Sequence, residues 1–428
     1  MSGTKIRADL FFATFGEVSQ KVVGYLVLVL LSRYLDKGSM GQFFVAATIG
    51  MIAAAITELG TGRHLIREIA TTPQHALRHL GDVLSLRLPL TTGALILVNA
   101  AVHLFDPALG SVMLLTSCYV LVGDLYFSYS AFMIGRRLLG LRLATLLGGQ
   151  LLLALCVGVS VLAGGSLRSV LLGYVAANVI TLCLTAMLVH SRFGAAPLTR
   201  PTGNTWRLAR VAAPFGALTA LGLLHSKADT LMLYALSSST AVATYESAYK
   251  LLEVSRFLVR PAVTVFFPIC AALAAREKWE EFTIAYRRLL TAAGSAGAVV
   301  AALVITLAGV VIPLVWGSRY VEAVPVLRIL YLAVPILYLQ TVVLFIAGSL
   351  HLEGTALKAI LAALASNVAI NLVAIPRWGA LGAAATTLAT ELGLTGWLLY
   401  LVSRRLRAAV RRPDAAVVGA PPAGVVAA

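Results

Sequence analysis

Apolar runs of about twenty residues recur along almost all of this 428-residue chain, parted by short polar links. A run of that length is what an α-helix needs to cross the hydrocarbon of a bilayer. Composition agrees, with 59% of residues hydrophobic and 12% charged, where soluble domains carry about 25% charged residues. The chain therefore reads as an all-α polytopic membrane protein, and no polar stretch is long enough for a separate catalytic domain. Twelve spans are expected, at 10–34, 39–60, 82–104, 108–133, 141–164, 167–190, 208–234, 240–272, 289–315, 323–350, 354–375 and 379–402. The first run has no small-residue cleavage site before it and reads as a retained span, not a signal peptide.

A net charge of +16 would suit nucleic acid, but its distribution is that of a membrane protein. Most Lys and Arg fall in segments on the side of the N-terminus, among them Arg63, Arg67, Arg87, Arg136, Arg137, Lys278 and the basic run at 404–412. The opposite loops hold far fewer. By the positive-inside rule both termini are cytoplasmic, and no nucleic-acid partner is expected. Cys118, Cys156, Cys183 and Cys270 all lie in apolar runs and read as small buried hydrophobes rather than a disulfide or metal framework.

A faint repeat divides the chain. LSRYLDKGSMGQFFVAA at 31–47 lines up with LYALSSSTAVATYESAY at 233–249, and GYVAANVITL at 173–182 with GAAATTLATE at 382–391. Two six-helix bundles are expected, 1–190 and 208–402, joined by a cytoplasmic loop at 191–207. A basic and then disordered tail follows at 403–428. Transporters commonly bind substrate between such halves. Two cytoplasmic stretches, TGRHLIREIATTPQHALRHLGD and REKWEEFTIAYRRLL, mix basic and apolar residues like helices lying on a membrane surface.

The strongest functional signal is a charged stripe in the eighth span. Glu246, Lys250, Glu253, Arg256 and Arg260 fall within an arc of about 120° on a helix of 3.6 residues per turn. Each buried charge costs about 2.5–3.5 kcal/mol in a bilayer, so such residues face a polar cavity or one another. Arginine suits phosphate because its planar fork donates paired hydrogen bonds. The plainer alternative is an intrahelical ladder of salt bridges. Other ionisable residues within spans are Glu17 and Lys21 at i, i+4, Asp124 alone in span 4, and Lys227 with Asp229 in span 7. Among intramembrane amides, Asn367, Asn371, Gln150, Asn178 and Gln340 are expected to hydrogen-bond between helices more than to touch a ligand, and Glu391 is expected to be similar. No phosphate loop of the GxxxxGK[ST] type occurs, which argues against ATP-driven pumping by this chain. His225 and Asp229 share an i, i+4 spacing, but a metal site would need further ligands.

Several stretches taken together resemble one family. They are LSRYLDKGSMGQFFVAA and ITELGTGRHLIREIA in the first half, then KADTLMLYALSSSTAVATYESAYKLLE, FFPICAALA, WGSRYVEAVPVLRILYLAVP and NVAINLVAIPRWGALGAAATTLATE in the second. In this order they are similar to polysaccharide-biosynthesis flippases of the O-antigen translocase type, in the multidrug/oligosaccharidyl-lipid/polysaccharide (MOP) exporter superfamily. The resemblance implies a bacterial inner-membrane protein, not an enzyme, with two bundles around a central cationic cavity. It would carry an undecaprenyl-pyrophosphate-linked oligosaccharide between leaflets by alternating access. It implies Lys21, Lys227, Lys250, Arg256 and Arg260 as cavity residues, with Glu17, Asp124, Asp229, Glu246 and Glu253 supporting them or reading a coupling ion. No cofactor is implied beyond possible coupling to H⁺ or Na⁺. The partners implied are the lipid-linked oligosaccharide, membrane lipids, and the polysaccharide polymerase and chain-length machinery. The second span departs from the family picture, being uncharged until Glu58. Two rival readings are a multidrug-type antiporter, which would want an acidic, aromatic cavity, and a membrane glycosyltransferase, which would want a large outer loop.

Overall fold

The structure, a computed structural model, describes residues 3–198, 203–350 and 352–411, with some side chains within helices left out. Among the described residues it is helical throughout, without strands. The helices are α1 (Gly3–Tyr34), α2 (Lys37–Glu58), α3 (Thr61–Thr71), α4 (Ala76–Phe105), α5 (Pro107–Gly135), α6 (Leu139–Leu162) and α7 (Leu167–Phe193). Then follow α8 (Gly203–Leu236), α9 (Ser239–Phe257), α10 (Arg260–Ala275), α11 (Trp279–Trp316), α12 (Ala323–Leu332), α13 (Val334–Ser349) and α14 (Glu353–Arg411). Gly379 leaves helical geometry inside α14 and divides it into two arms. Taking α9 with α10, α12 with α13, and the arms of α14 apart gives the twelve expected spans. Eight helices pass on length and apolarity alone. Exposed Leu26, Leu97, Leu151, Leu303 and Leu314 on several of these helices are what a multi-pass membrane protein presents to lipid.

By its contacts the chain divides into two compact units, Met1–Leu231 and Met232–Ala428, the boundary falling within α8. In the first unit, α3 turns back under α4 and α5. Leu65 and Ile69 of α3 join Leu80, Phe132, Met133 and Val189 in one buried cluster. The amphipathic stretch expected on the membrane surface thus spends its apolar face on the protein core and leaves Arg63 and Arg67 exposed. Glu58 sets this turn. Its carboxylate accepts from the Gly60 and Gly62 amides, each at 2.8 Å, which satisfies donors at the start of α3. Gly216 of α8 comes so close that a Cβ there would lie 2.6 Å from Leu59 Cα.

In the second unit, α11 packs on α13 at Gly297, whose missing Cβ would lie 2.7 Å from Pro335 Cα. The second amphipathic stretch is no separate helix, for α11 starts at Trp279 and runs unbroken to Trp316. The basic run from Arg404 is helical, continuing α14 to Arg411. Residues 412–428, expected as a disordered tail, lie outside the described residues.

The repeat has a structural counterpart at the start of α2 and α9. Asp36 accepts from the Ser39 amide at 2.9 Å, and Ser238 accepts from the Ala241 amide at 3.2 Å. Each is an N-cap in extended conformation, and the two occupy equivalent positions of the repeat.

Candidate functional site

The α9 stripe is real but shorter than the sequence suggests. Pro261 has no amide hydrogen to donate, which interrupts the helical ladder. Accordingly α9 ends at Phe257 and α10 begins at Arg260. Arg260 therefore belongs to a second helix, and its side chain lies outside the described residues. Tyrosine hydroxyls fasten one side of α9 to its unit. Tyr338 donates to the Ser255 carbonyl at 2.7 Å, Tyr331 to the Leu251 carbonyl at 2.9 Å, and Tyr245 meets Thr387 at 3.1 Å.

On the charged side, Lys250 Nζ lies 2.7 Å from Glu253 and 3.9 Å from Glu246, and Glu246 is only 1% exposed. This part of the stripe is the intrahelical ladder that the sequence left open as an alternative. Its lysine is flanked one turn away on both sides by carboxylates. Arg256 differs. It is half-buried, near the midpoint of the segment formed by α9 and α10, and has no ion-pair partner among the described residues.

In the first unit, Glu17 and Lys21 are both exposed within α1. Ionic side chains on a membrane span do not face lipid cheaply, so this face of α1 borders water or polar groups. Lys227 and Asp229 are buried in α8, 3% and 4% exposed. Both have interactions within the protein, so neither presents its charge to open space.

Asp124 is not alone. Arg87, placed by the sequence in a cytoplasmic segment, is 0% exposed inside α4. Its guanidinium pairs with Asp124 and donates to Ser128 Oγ at 2.6 Å. A carboxylate held this way is a fastening between α4 and α5 and a poor reader of a coupling ion. The amides divide as well. Gln340 donates to Glu391 across α13 and α14, both buried, and Asn371 donates to Asn367 at 3.1 Å. Asn178, expected to bond between helices, donates instead to the Tyr174 carbonyl one turn back in its own helix. Gln20 carried no sequence signal because it is uncharged and isolated, yet the fold sets it beside Gln150 and Asn178.

Comparison with known proteins follows this geometry. A family profile described as "Polysaccharide biosynthesis protein" matches residues 6–274, well over half the chain. A search of curated proteins finds no match. Among solved structures the fold is similar to an inward-facing multidrug-resistance MATE family transporter of the MOP superfamily, at a TM-score of 0.75 and 14% identity, covering 92% of this chain and 96% of that one. It is similar to the lipid II flippase MurJ in an inward closed conformation, at 0.69 and 11%, covering 94% and 90%. A third likeness is to a MOP superfamily transporter from Pyrococcus furiosus described as having a binding pocket of reverse polarity, at 0.63 and 13%, covering 95% and 96%. At such identities these likenesses establish the fold.

Proposed function

The chain belongs to the polysaccharide biosynthesis protein family, and from that premise we propose that it is a flippase for an undecaprenyl-pyrophosphate-linked oligosaccharide. It would act in the bacterial inner membrane with both termini cytoplasmic and carry out no covalent chemistry. The observation that carries this reading is Arg256, a guanidinium near the middle of a membrane-embedded segment that forms no ion pair among the described residues. Such a group is stable there when an anion completes it, and a pyrophosphate offers the oxygen geometry that its fork matches. Taking a pyrophosphate out of water unaided is prohibitive, and cations already in place offset that cost. Exposure of the bound headgroup first to one side and then to the other completes the cycle, while the prenyl tail stays in lipid.

Lys250 contributes less than its position suggests, because Glu246 and Glu253 already balance it. The Pyrococcus transporter, in which reversed pocket polarity is taken to suggest a different function, supports the idea that pocket charge separates branches of this fold. A multidrug-type antiporter would need net negative charge where Arg256 stands. The test is flipping of a fluorescent lipid-linked oligosaccharide in proteoliposomes. Arg256→Ala is expected to slow it at least about tenfold, the loss of a hydrogen bond to a charged group. A rate equal to wild type rejects the proposal.

A further inference from the structure

Four helices of the first unit enclose a polar pocket at mid-span that none of the charged residues above enters. It is formed by α1, α5, α6 and α7, with a cavity volume of about 80 Å³. That is room for part of a ligand, below the range of about 300–1,000 Å³ usual for a whole small-ligand site. Its polar groups are Gln20, Gln150, Asn178, Thr145, Thr181 and Tyr126. Every one is neutral, and since the Thr145 and Thr181 hydroxyls donate to the Arg142 and Ala177 carbonyls, the pocket offers them chiefly as acceptors beside the amides.

Two of these groups have capacity to spare. The Gln150 Oε1 atom is buried with no hydrogen-bond partner among the described residues. A buried acceptor left unmade costs on the order of 1–3 kcal/mol, so a ligand donor is the natural completion. Asn178 uses its amide NH₂ on its own helix, and its Oδ1 projects beside Gly123, where a Cβ would stand only 2.9 Å away. Glycines also open the opposite wall, since a Cβ at Gly149 would lie 2.7 Å from Thr181. The small residues keep the amides and hydroxyls uncovered.

We infer that this pocket is a subsite for uncharged, polyhydroxylated groups, the sugar hydroxyls of the carried glycan. A sugar hydroxyl both donates and accepts, which suits a wall of amides and hydroxyls and would waste a cationic one. A phosphate would find no cation among the pocket's polar groups, and an inorganic cation would find no carboxylate. This inference rests on the flippase reading and divides the labour within it. Cationic side chains such as Arg256 hold the pyrophosphate, and the Gln20–Gln150–Asn178 pocket reads the sugar.

The experiment places a single cysteine at Gln20 in a chain whose four native cysteines are replaced, and follows its modification by a small hydrophilic thiol reagent. Saturating lipid-linked oligosaccharide is expected to slow the modification severalfold, while glycan-free prenyl pyrophosphate leaves it unchanged. Equal slowing by both lipids, or by neither, overturns the subsite. In parallel, Gln150→Leu is expected to raise the KM for flipping about tenfold, the loss of hydrogen bonds to a neutral ligand, without moving the thermal midpoint. Gln20→Leu serves as a second variant should Gln150→Leu fold poorly. Flipping lost in Arg256→Ala but intact in both glutamine variants keeps the flippase and discards the pocket. Flipping intact in all three discards both.

Discussion

Arg87 and Lys250 show what one residue's neighbours in sequence reveal and what they hide. Lys250 has its acids at i−4 and i+3, so its pairing is written locally and was open to reading. Arg87 finds Asp124 37 positions away and on another helix, a contact that only the packing of α4 against α5 creates. The sequence counted Arg87 as a cytoplasmic cation because it stands near the start of a span, and left Asp124 apparently solitary. Burial changes what substitution does. Breaking a buried pair by removing one partner leaves the other charge uncompensated and costs about 3–5 kcal/mol. Arg87→Leu and Asp124→Leu are each expected to lower the thermal midpoint in detergent sharply. The Arg87→Leu/Asp124→Leu double variant should recover most of the loss, since paired replacement by apolar residues is often near neutral. A double variant as unstable as the sum of the singles would deny that the two act as one fastening.

At the scale of the helix, starts were legible and breaks only in part. Asp36 and Ser238 stand at the same place in the two halves, and their residue types suit caps. The break at Gly379 falls at the expected division between 354–375 and 379–402, whereas the one after Phe257 lies inside the single expected span 240–272, where a hydropathy pattern passes smoothly over Pro261. Asp36→Ala is expected to cost about 1 kcal/mol, read as a lowered thermal midpoint. The cap also carries an acid dependence. Hydrogen bonds from Ser39 hold the Asp36 carboxyl below its usual pKa. Its contribution is therefore complete above about pH 3.9, the ordinary aspartate value, and fades as pH falls through the lower folded value. Asp36→Asn keeps a capping oxygen, so this part of the acid sensitivity should vanish while neutral stability holds. Gly379 adopts φ 54 and ψ −130, a conformation open to glycine and strained for other residues. Gly379→Ala should thus destabilise by about 1–3 kcal/mol. Gly393→Ala, with nothing within 4 Å of its Cβ position, should be neutral or slightly stabilising. Equal effects at the two sites would contradict the break.

For the whole molecule, hydropathy and charge already determined the kind of protein, because a bilayer permits few ways to satisfy a backbone. What escaped was any site built from neutral residues. Gln20 and Gln150 look alike in the sequence whether they face lipid, a neighbour or a pocket, and only the assembled unit separates these cases. Topology remains the property on which transport direction depends, and two independent signals bear on it. Span parity puts the turn after α2 and the end of α14 on one side, with the turn between the arms of α14 on the other. The excess of Lys and Arg leads us to propose that the first side is the cytoplasm. Single cysteines at Arg63 and Arg404, both exposed, should then react with an impermeant thiol reagent only in inside-out vesicles. A cysteine at Trp378, also exposed, should react only in right-side-out cells. The arms of α14 make Trp378 and Arg404 the discriminating pair. If Gly379 did not turn the chain, the two would lie about 39 Å apart along one helix at 1.5 Å per residue, and the α14 segment would count as one span. The C-terminus would then change sides relative to Arg63, so labelling of Arg404 and Trp378 from the same side would remove the turn and the twelve-span count with it.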